Sequence, residues 1–162
     1  MNNIETVQKN KQSLWIDFIS RNLLESGKLK TLINKNGITG LTSNPSIFEK
    51  AISDSKDYDE DIKKLLKSNY KISSYDIFEK LSIYDIKKAA ELLLNTYENS
   101  NQLDGYVSIE VSPKLAYKSK ETIDQAIDLN KKINMPNIMI KVPATDEGVD
   151  AIKILTNMGL NI

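Results

Sequence analysis

The stretch Pro136-Asn-Ile-Met-Ile-Lys-Val-Pro143 decides the fold, because it sets a short apolar run between two prolines. Residues 138–142 are apolar apart from Lys141 and are too few for a typical helix, so they predict a buried strand. Apolar runs of similar length precede them at residues 14–19, 38–42 and 106–111, and a shorter run follows at 160–162. We therefore expect four buried strands and the start of a fifth.

The segments between these runs have the spacing of amphipathic helices, with apolar residues at i, i+3, i+4 and i+7. We predict helices over residues 20–32, 45–52, 82–97, 118–133 and 146–158, with Ser82 as the N-cap of the third. Residues 54–74, rich in Lys, Asp and Ser, are expected to present a solvated helical face. Strands that alternate with helices predict an α/β fold with a parallel sheet, in a single domain over residues 1–162.

The composition excludes several classes of function. The chain has 162 residues with 22 basic and 22 acidic side chains, a balance that argues against a nucleic-acid binder. It has no cysteine and no histidine, which excludes thiolate metal sites, cysteine nucleophiles and imidazole acid–base chemistry. No apolar run approaches the roughly 18 residues of a membrane span, and the first residues do not resemble a secretory signal. We therefore expect a cytoplasmic protein that has no membrane partner.

Polar side chains interrupt or follow the predicted strands near their carboxyl ends. They are, in chain order, Asp17, Thr42, Ser43, Asn44, Glu110 and Lys141. In parallel α/β proteins these strand ends meet at one edge of the sheet, and ligands bind outside that edge. We therefore predict one functional site that combines an amine, two carboxylates and an amide.

Lys141 is the most informative of these residues, since it lies between Ile140 and Val142. Burial disfavours the charged form of an amine, so we expect these neighbours to keep part of the Lys141 population neutral and nucleophilic. Such an amine adds to a ketone to form an imine, and a carboxylate can then remove a hydroxyl proton to break the adjacent C–C bond. This Schiff-base chemistry needs neither a metal nor a cofactor.

Each of these residues also has a structural interpretation. Lys141 and Glu110 can form a buried ion pair, although apolar replacements of such pairs are often no less stable. Asp17 and Asn44 are residue types typical of helix caps and turns. Residue chemistry and spacing alone leave both interpretations open.

Four stretches carry a resemblance to a known family. They are residues 14–17 (LWID), 40–52 (GLTSNPSIFEKAI), 104–113 (DGYVSIEVSP) and 137–145 (NIMIKVPAT). In these motifs the chain resembles transaldolase, in its bacterial and plant-type branch. The resemblance implies a (β/α)₈ TIM barrel and a transferase of the pentose phosphate pathway. The implied reaction converts sedoheptulose 7-phosphate and glyceraldehyde 3-phosphate into erythrose 4-phosphate and fructose 6-phosphate through a Schiff base.

The resemblance also implies a role for each candidate residue, with sugar phosphates as substrates and no metal or cofactor. Lys141 corresponds to the Schiff-base lysine and Asp17 to the acid–base group beside the scissile bond. Glu110 corresponds to the carboxylate that positions water for imine formation and hydrolysis. The substrate-binding residues that the resemblance implies are Thr42, Ser43 and Asn44.

The chain is shorter than the about 250 residues of a (β/α)₈ barrel. We therefore expect an incomplete TIM barrel with about the first four βα units and the start of strand five. On this expectation the chain is an N-terminal fragment of a transaldolase and is inactive alone. Three alternatives remain: one chain of a two-chain enzyme with a separately encoded C-terminal half, a non-catalytic remnant, and an enzyme like fructose 6-phosphate aldolase.

Overall fold

Parallel strands form a four-stranded sheet in residues 3–162, the part of the chain that the structure, a computed structural model, describes. The strands are β1 (Trp15–Ile16), β2 (Gly40–Leu41), β3 (Val107–Glu110) and β4 (Ile138–Lys141), in the spatial order β1-β2-β3-β4. Each neighbouring pair is parallel, so each connection crosses from one end of the sheet to the other. The predicted α/β fold with a parallel sheet is confirmed, and the sheet is not closed.

Most of the remaining regular structure is helical. The helices are α1 (Asn3–Lys9), α2 (Arg21–Glu25), α3 (Lys28–Asn36), α4 (Pro45–Ser53), α5 (Asp59–Ser68), α6 (Ser74–Asn99), α7 (Ser119–Ile133) and α8 (Asp146–Asn157). A short 3₁₀ turn, Pro113–Leu115, follows β3. No residue of α5 is buried, which agrees with the solvated helical face predicted for residues 54–74.

Two predicted helices have different bounds in the structure. The segment 20–32, predicted as one helix, covers α2 and only the first part of α3, which continues to Asn36. The two helices are separate because Gly27 between them adopts a left-handed φ of +79°. The cap predicted at Ser82 is wrong, since α6 begins at Ser74 and Ser82 lies buried inside it. The buried positions of α6 begin only at Leu81, so the apolar spacing marks the packed part of this helix and not its start.

The two faces of the sheet differ because successive residues of a strand point to opposite sides. One row of register partners crosses the sheet and consists of Ile16, Leu41, Val107 and Ile138. The last three are part of the core shared with the helices, and Ile16 packs against that core. On the other face, Ser108 pairs in register with Met139 and Glu110 with Lys141. The helices therefore bury the apolar side, and the charged residues lie on the opposite side.

Close packing on this second face requires a glycine in β2. Trp15 and Gly40 are register partners, and a Cβ atom on Gly40 would lie 2.3 Å from the Trp15 indole ring. Non-bonded carbon atoms do not approach this closely, so the Trp15 indole fills the space that a side chain at position 40 would need.

The predicted fifth strand at residues 160–162 is not formed as a regular strand. Its residues nevertheless lie beside β4, because the Ile140 amide donates a hydrogen bond to the Asn161 carbonyl at 2.8 Å. The Asn161 side chain also donates to the Ile138 carbonyl at 3.4 Å. One backbone and one side-chain hydrogen bond do not make a regular strand pairing, so residues 160–162 do not form the predicted fifth strand in the structure. Within residues 3–162, no helix has the length and apolar character needed to cross a membrane.

Candidate active site

Lys141 and Glu110 meet at the carboxyl ends of β4 and β3. They are register partners, and the distance from Lys141 Nζ to Glu110 Oε2 is 3.5 Å. Lys141 Nζ also donates a hydrogen bond to the Ser43 carbonyl, just beyond β2, at 3.1 Å. The amine therefore joins groups from the ends of three strands, as expected for residues at one edge of a parallel sheet.

The surroundings of the Lys141 amine differ from the expectation. The sequence neighbours Ile140 and Val142 were expected to remove it from water, but 40% of the Lys141 side chain is exposed. The reason is strand geometry: Ile140 and Val142 point to the opposite face, where Ile140 is buried and Val142 packs against the core. The Glu110 side chain is 23% exposed, so the pair is solvated and not the fully buried ion pair of the structural alternative.

Asp17 and Thr42 form a second pair at the same edge. Asp17 directly follows β1, and the Thr42 hydroxyl donates a hydrogen bond to its carboxylate. The Thr42 amide donates to the Ile16 carbonyl at 2.9 Å, which extends the pairing of β1 and β2 to this point. Asp17 is exposed, so its carboxylate is held by Thr42 yet accessible to a ligand.

Ser43 and Asn44 mainly hold the turn between β2 and α4. The buried Ser43 hydroxyl donates to the Ser108 carbonyl at 2.7 Å, which ties this turn to β3. The Asn44 side-chain oxygen accepts a hydrogen bond from the Ile47 amide at 2.9 Å and caps α4. Asn44, whose structural interpretation from the sequence was a turn residue, is therefore the N-cap of α4. Its Nδ2 group is a different atom from the capping oxygen and could still serve a ligand.

The loops after β3 and β4 are tied together by residues that the sequence did not single out. Thr145 caps α8, accepting from the Gly148 amide at 3.0 Å, and its hydroxyl also donates to the Ala116 carbonyl. A Cβ atom on Gly148 would lie 1.8 Å from the Pro143 carbonyl oxygen, so the turn after Lys141 requires glycine there. The run Thr145-Asp146-Glu147 is a typical helix start and could have identified the cap.

A second tie fixes the residues that follow Glu110. The Ser112 amide donates to the Gln125 side-chain oxygen at 2.6 Å, and the Gln125 amide group donates to the Tyr75 hydroxyl at 2.6 Å. Gln125 lies on α7 and Tyr75 on α6, so two helices hold the turn after β3. No sequence signal distinguishes this glutamine from an ordinary helix residue.

The main cavity near the site lies beside Lys141 and not around it. Its volume is about 430 Å³, and Ser43, Asn44 and Glu110 contribute to its wall. The rest of the wall comes from Ile109, from residues 112–114 after β3 and from helices α4, α6 and α7. It includes Phe48 and Phe78, whose rings meet edge to face at 6.2 Å. Lys141, Asp17 and Thr42 therefore lie at the sheet edge outside the wall of this cavity, whereas Glu110 belongs to both.

Arg21, the only arginine of the chain, is buried at the start of α2. Its side chain binds the carboxylates of Asp61 and Asp85, the latter at 2.7 Å from Nε. The rings of Tyr58 and Tyr84 lie on it, with their centroids 4.9 and 4.5 Å from the guanidinium carbon. We call these five residues the Arg21 cluster. The sequence assigned them no role, because their positions are far apart in the chain.

Burial and hydrogen bonding perturb the ionisation of the Arg21 cluster. Burial acts to lower the pKa of Arg21, but bonds to Asp61 and Asp85 outweigh it and raise the pKa above its ordinary value. Burial raises the pKa of Asp85, and bonds from Arg21 and Tyr58 oppose this only in part. The hydrogen bond from Arg21 holds the pKa of Asp61 below its ordinary value.

The donor set of the site is one amine, carboxylates, hydroxyls and amides. In the described part of the chain, no three His, Cys, Asp or Glu side chains are grouped so that they could hold a metal ion. An amine beside a carboxylate can form and hydrolyse an imine, and a second carboxylate can move a hydroxyl proton. These are the kinds of groups that Schiff-base aldol chemistry uses.

Comparison with known proteins gives a match over nearly the whole chain. The family described as Transaldolase/Fructose-6-phosphate aldolase matches residues 14–162. A protein named "Transaldolase" from Thiobacillus denitrificans is 43% identical over 162 residues, which cover 100% of this chain and 45% of the relative. A "Transaldolase 2" from a Nostoc species is 41% identical, covering 100% of this chain and 42% of the relative. The chain thus spans less than half the length of these curated relatives.

Proposed function

The chain belongs to the transaldolase/fructose-6-phosphate aldolase family, and from this membership we propose that it carries the Schiff-base half of a transaldolase active site. The proposed reaction moves a dihydroxyacetone unit from sedoheptulose 7-phosphate to glyceraldehyde 3-phosphate, in the pentose phosphate pathway. The observation that carries the proposal is the contact of Lys141 Nζ with Glu110 Oε2 at 3.5 Å, at the strand ends where this family's motifs lie.

We propose that the four-stranded sheet corresponds to the first half of a (β/α)₈ barrel. Its strands are all parallel and lie in sequence order, as consecutive barrel strands do. The contact of Asn161 with Ile140 supports a fifth strand beside β4. Within residues 3–162, the helices and one face of the sheet share a single apolar core, which supports a single domain.

In the proposed mechanism, Lys141 attacks the ketone carbon of the donor sugar and forms a C–N bond. Glu110 carries two protons, one after the other, from the Lys141 ammonium group to the ketone oxygen, which leaves as water and gives a protonated imine. Asp17 then removes the proton of the hydroxyl beyond the bond that breaks. The electron pair of that C–C bond moves to the imine nitrogen, and the shortened sugar leaves as an aldehyde.

The second half of the reaction reverses these steps with a different aldehyde. The enamine carbon attacks the acceptor, and Asp17 returns its proton to the new hydroxyl. Water guided by Glu110 hydrolyses the imine and frees Lys141. We propose that Thr42, which holds Asp17, and Asn44, in the cavity wall, orient the donor. We further propose that the Ser43 carbonyl holds the amine between turnovers.

We propose that the isolated chain turns over little or no substrate. In the structure 40% of the Lys141 side chain is exposed, and water that reaches the site hydrolyses an imine. The chain matches less than half the length of its relatives, and we propose that a further polypeptide region, on the same or a second chain, completes the active site. A fructose 6-phosphate aldolase activity uses the same lysine chemistry and is the second candidate, because the matching family includes both enzymes.

Borohydride trapping tests the proposal. The isolated chain is compared with a chimera in which it replaces the matching part of the Thiobacillus denitrificans transaldolase, each incubated with fructose 6-phosphate and reduced. We expect mass spectrometry to find the sugar adduct on Lys141 in the chimera and about 100-fold less in the isolated chain. Lys141→Met should abolish labelling, and Lys153→Met, at an exposed position on α8, should not.

The arms of this experiment separate the parts of the proposal. A folded chimera with no adduct on Lys141 would contradict the assignment of the lysine. Equal labelling of the isolated chain would support the lysine but contradict the proposed inactivity. Repeated release of free dihydroxyacetone from fructose 6-phosphate without an acceptor would favour the aldolase candidate.

A further inference from the structure

We propose that Tyr58 and Asp85 of the Arg21 cluster position Asp17 for the proposed reaction by fixing the start of α2. The inference rests on the proposed function, since Asp17 is the acid–base group only in that proposal. Neither residue lies at the sheet edge, and both act through the chain segment that connects β1 to α2. They are therefore positioning residues and do not touch substrate.

The hydrogen bonds of the cluster close a ring around Arg21. The Arg21 amide donates to the Tyr58 hydroxyl at 2.9 Å, and that hydroxyl donates to Asp85 Oδ2 at 2.8 Å. Asp85 Oδ1 accepts from Arg21 Nε at 2.7 Å, so the backbone and the side chain of Arg21 are both tied to one carboxylate. Tyr58 and Asp85 are completely buried, which keeps water from competing for these bonds.

Arg21 begins α2, a few residues after Asp17, which directly follows β1. The short segment between them has a buried Ile19 and ends in Ser20, which caps α2 through the Leu23 amide at 3.2 Å. Asp17 is held on one side by Thr42 and on the other by this segment. A shift of the α2 start therefore moves the Asp17 carboxylate, and small displacements of a reacting group have large effects on rate.

Stability alone explains the Arg21 cluster poorly. Buried charges lose hydration, and apolar replacements of buried ion pairs are often neutral or stabilising. The raised pKa of Asp85 shows that its burial is only partly compensated. The Arg21 backbone amide is a hydrogen-bond donor, and its bond to the Tyr58 hydroxyl fixes the position of the main chain at the start of α2. The hydrogen bonds of the Arg21 guanidinium, by contrast, fix only a side chain.

The first test uses the isolated chain and needs no activity. Tyr58→Phe keeps the ring and removes the hydroxyl, and Tyr70→Phe is the matched control because Tyr70 is 81% exposed. With ¹³C-labelled aspartate, we expect Tyr58→Phe to shift the side-chain carboxyl resonance of Asp17, and Tyr70→Phe to leave it unchanged. An unchanged Asp17 resonance in folded Tyr58→Phe overturns the inference.

The second test uses the chimera and separates the two chemical steps. Imine formation, measured by trapping at Lys141, should stay within about twofold in Tyr58→Phe, whereas release of glyceraldehyde 3-phosphate from fructose 6-phosphate should fall about tenfold. The effect should vanish when Asp17→Asn is already present, because the two residues act on one step. Equal losses in both steps, or an undiminished loss in the Asp17→Asn background, overturn the inference. Absence of trapping in the unsubstituted chimera counts against the proposed function, and the resonance test still decides the positioning.

Discussion

Lys141 and Glu110 occupy the same register position on neighbouring parallel strands, with Nζ 3.5 Å from Oε2. The register sets this contact, because residues paired across two strands point to the same face. An amine and a carboxylate at this distance form an ion pair at rest and can exchange a proton when the amine reacts. The sheet therefore brings together the two groups that imine formation needs.

Replacement of Glu110 by Gln tests its proton-transfer role. The change keeps size and removes the carboxylate, so we expect trapping of fructose 6-phosphate at Lys141 in the chimera to slow by about 100-fold. Glu49→Gln is the matched control, since Glu49 is exposed and lies on α4. Trapping by Glu110→Gln at the unsubstituted rate would show that water alone supplies the proton.

Substitution of Thr145 tests the hydrogen bond that joins the loop after β4 to the loop after β3. Thr145→Val keeps the shape and removes the hydroxyl that caps α8 and binds the Ala116 carbonyl. We expect the free energy of unfolding to fall by about 1–2 kcal/mol, measured by urea denaturation. Thr145→Ser retains the hydroxyl and should recover most of the loss. Equal stabilities of the Val and Ser variants would contradict a role for the hydroxyl.

Gly40 tests the contact between β1 and β2. Gly40→Ala places a Cβ atom where the Trp15 ring lies, so we expect a loss of about 1–3 kcal/mol and a shift of the tryptophan emission. Gly27→Ala is the control, because it has open space but a φ of +79°. It should lose about 1 kcal/mol with no change in fluorescence. Trp15 is the only tryptophan, so the signal is unambiguous, and unchanged emission in Gly40→Ala would refute the contact.

Asp61 tests the electrostatics of the Arg21 cluster. Its pKa is held below the ordinary value of 3.8 by the hydrogen bond from Arg21, so the unfolded chain binds the proton more tightly. The resulting stability is present above the ordinary pKa and is lost as the pH falls through the lowered pKa. The Asp61 side chain is 34% exposed, so solvent screening limits the contribution to about 1 kcal/mol.

Urea denaturation from about pH 6 to about pH 3 measures this dependence. We expect Asp61→Asn to be less stable than the unsubstituted chain at the upper pH and to lose less stability on acidification. Asp57→Asn, at an exposed position, should retain the slope of the unsubstituted chain. A slope for Asp61→Asn equal to that of the unsubstituted chain would contradict the role of the Arg21 bond.

Four of the five predicted strands contain an observed strand, because a parallel strand covered by helices must be apolar over a short run. Each observed strand is shorter than its run, since apolar residues continue to pack after the backbone stops pairing. The prediction of one helix over 20–32 missed the break at Gly27, because glycine inside an apolar pattern is compatible with either outcome.

The candidate site was predictable to the extent that its residues interrupt apolar runs. Glu110 and Lys141 were found in this way, and the structure brings them into contact. The expected dehydration of Lys141 was wrong, because residues adjacent on a strand face away from each other and do not surround one another's side chains. Gln125 and Thr145 were missed, because their partners lie on other loops and helices.

The order of residues by itself determined the parallel α/β architecture and the end of the sheet where the polar groups gather, since both follow from short-range patterns of apolar and polar residues. Only the tertiary structure decided how Arg21 is used. Its carboxylate partners Asp61 and Asp85 lie 40 and 64 positions away in the chain. No local pattern records such a pairing, because it exists only after α2, α5 and α6 have packed together and excluded water from the charges between them.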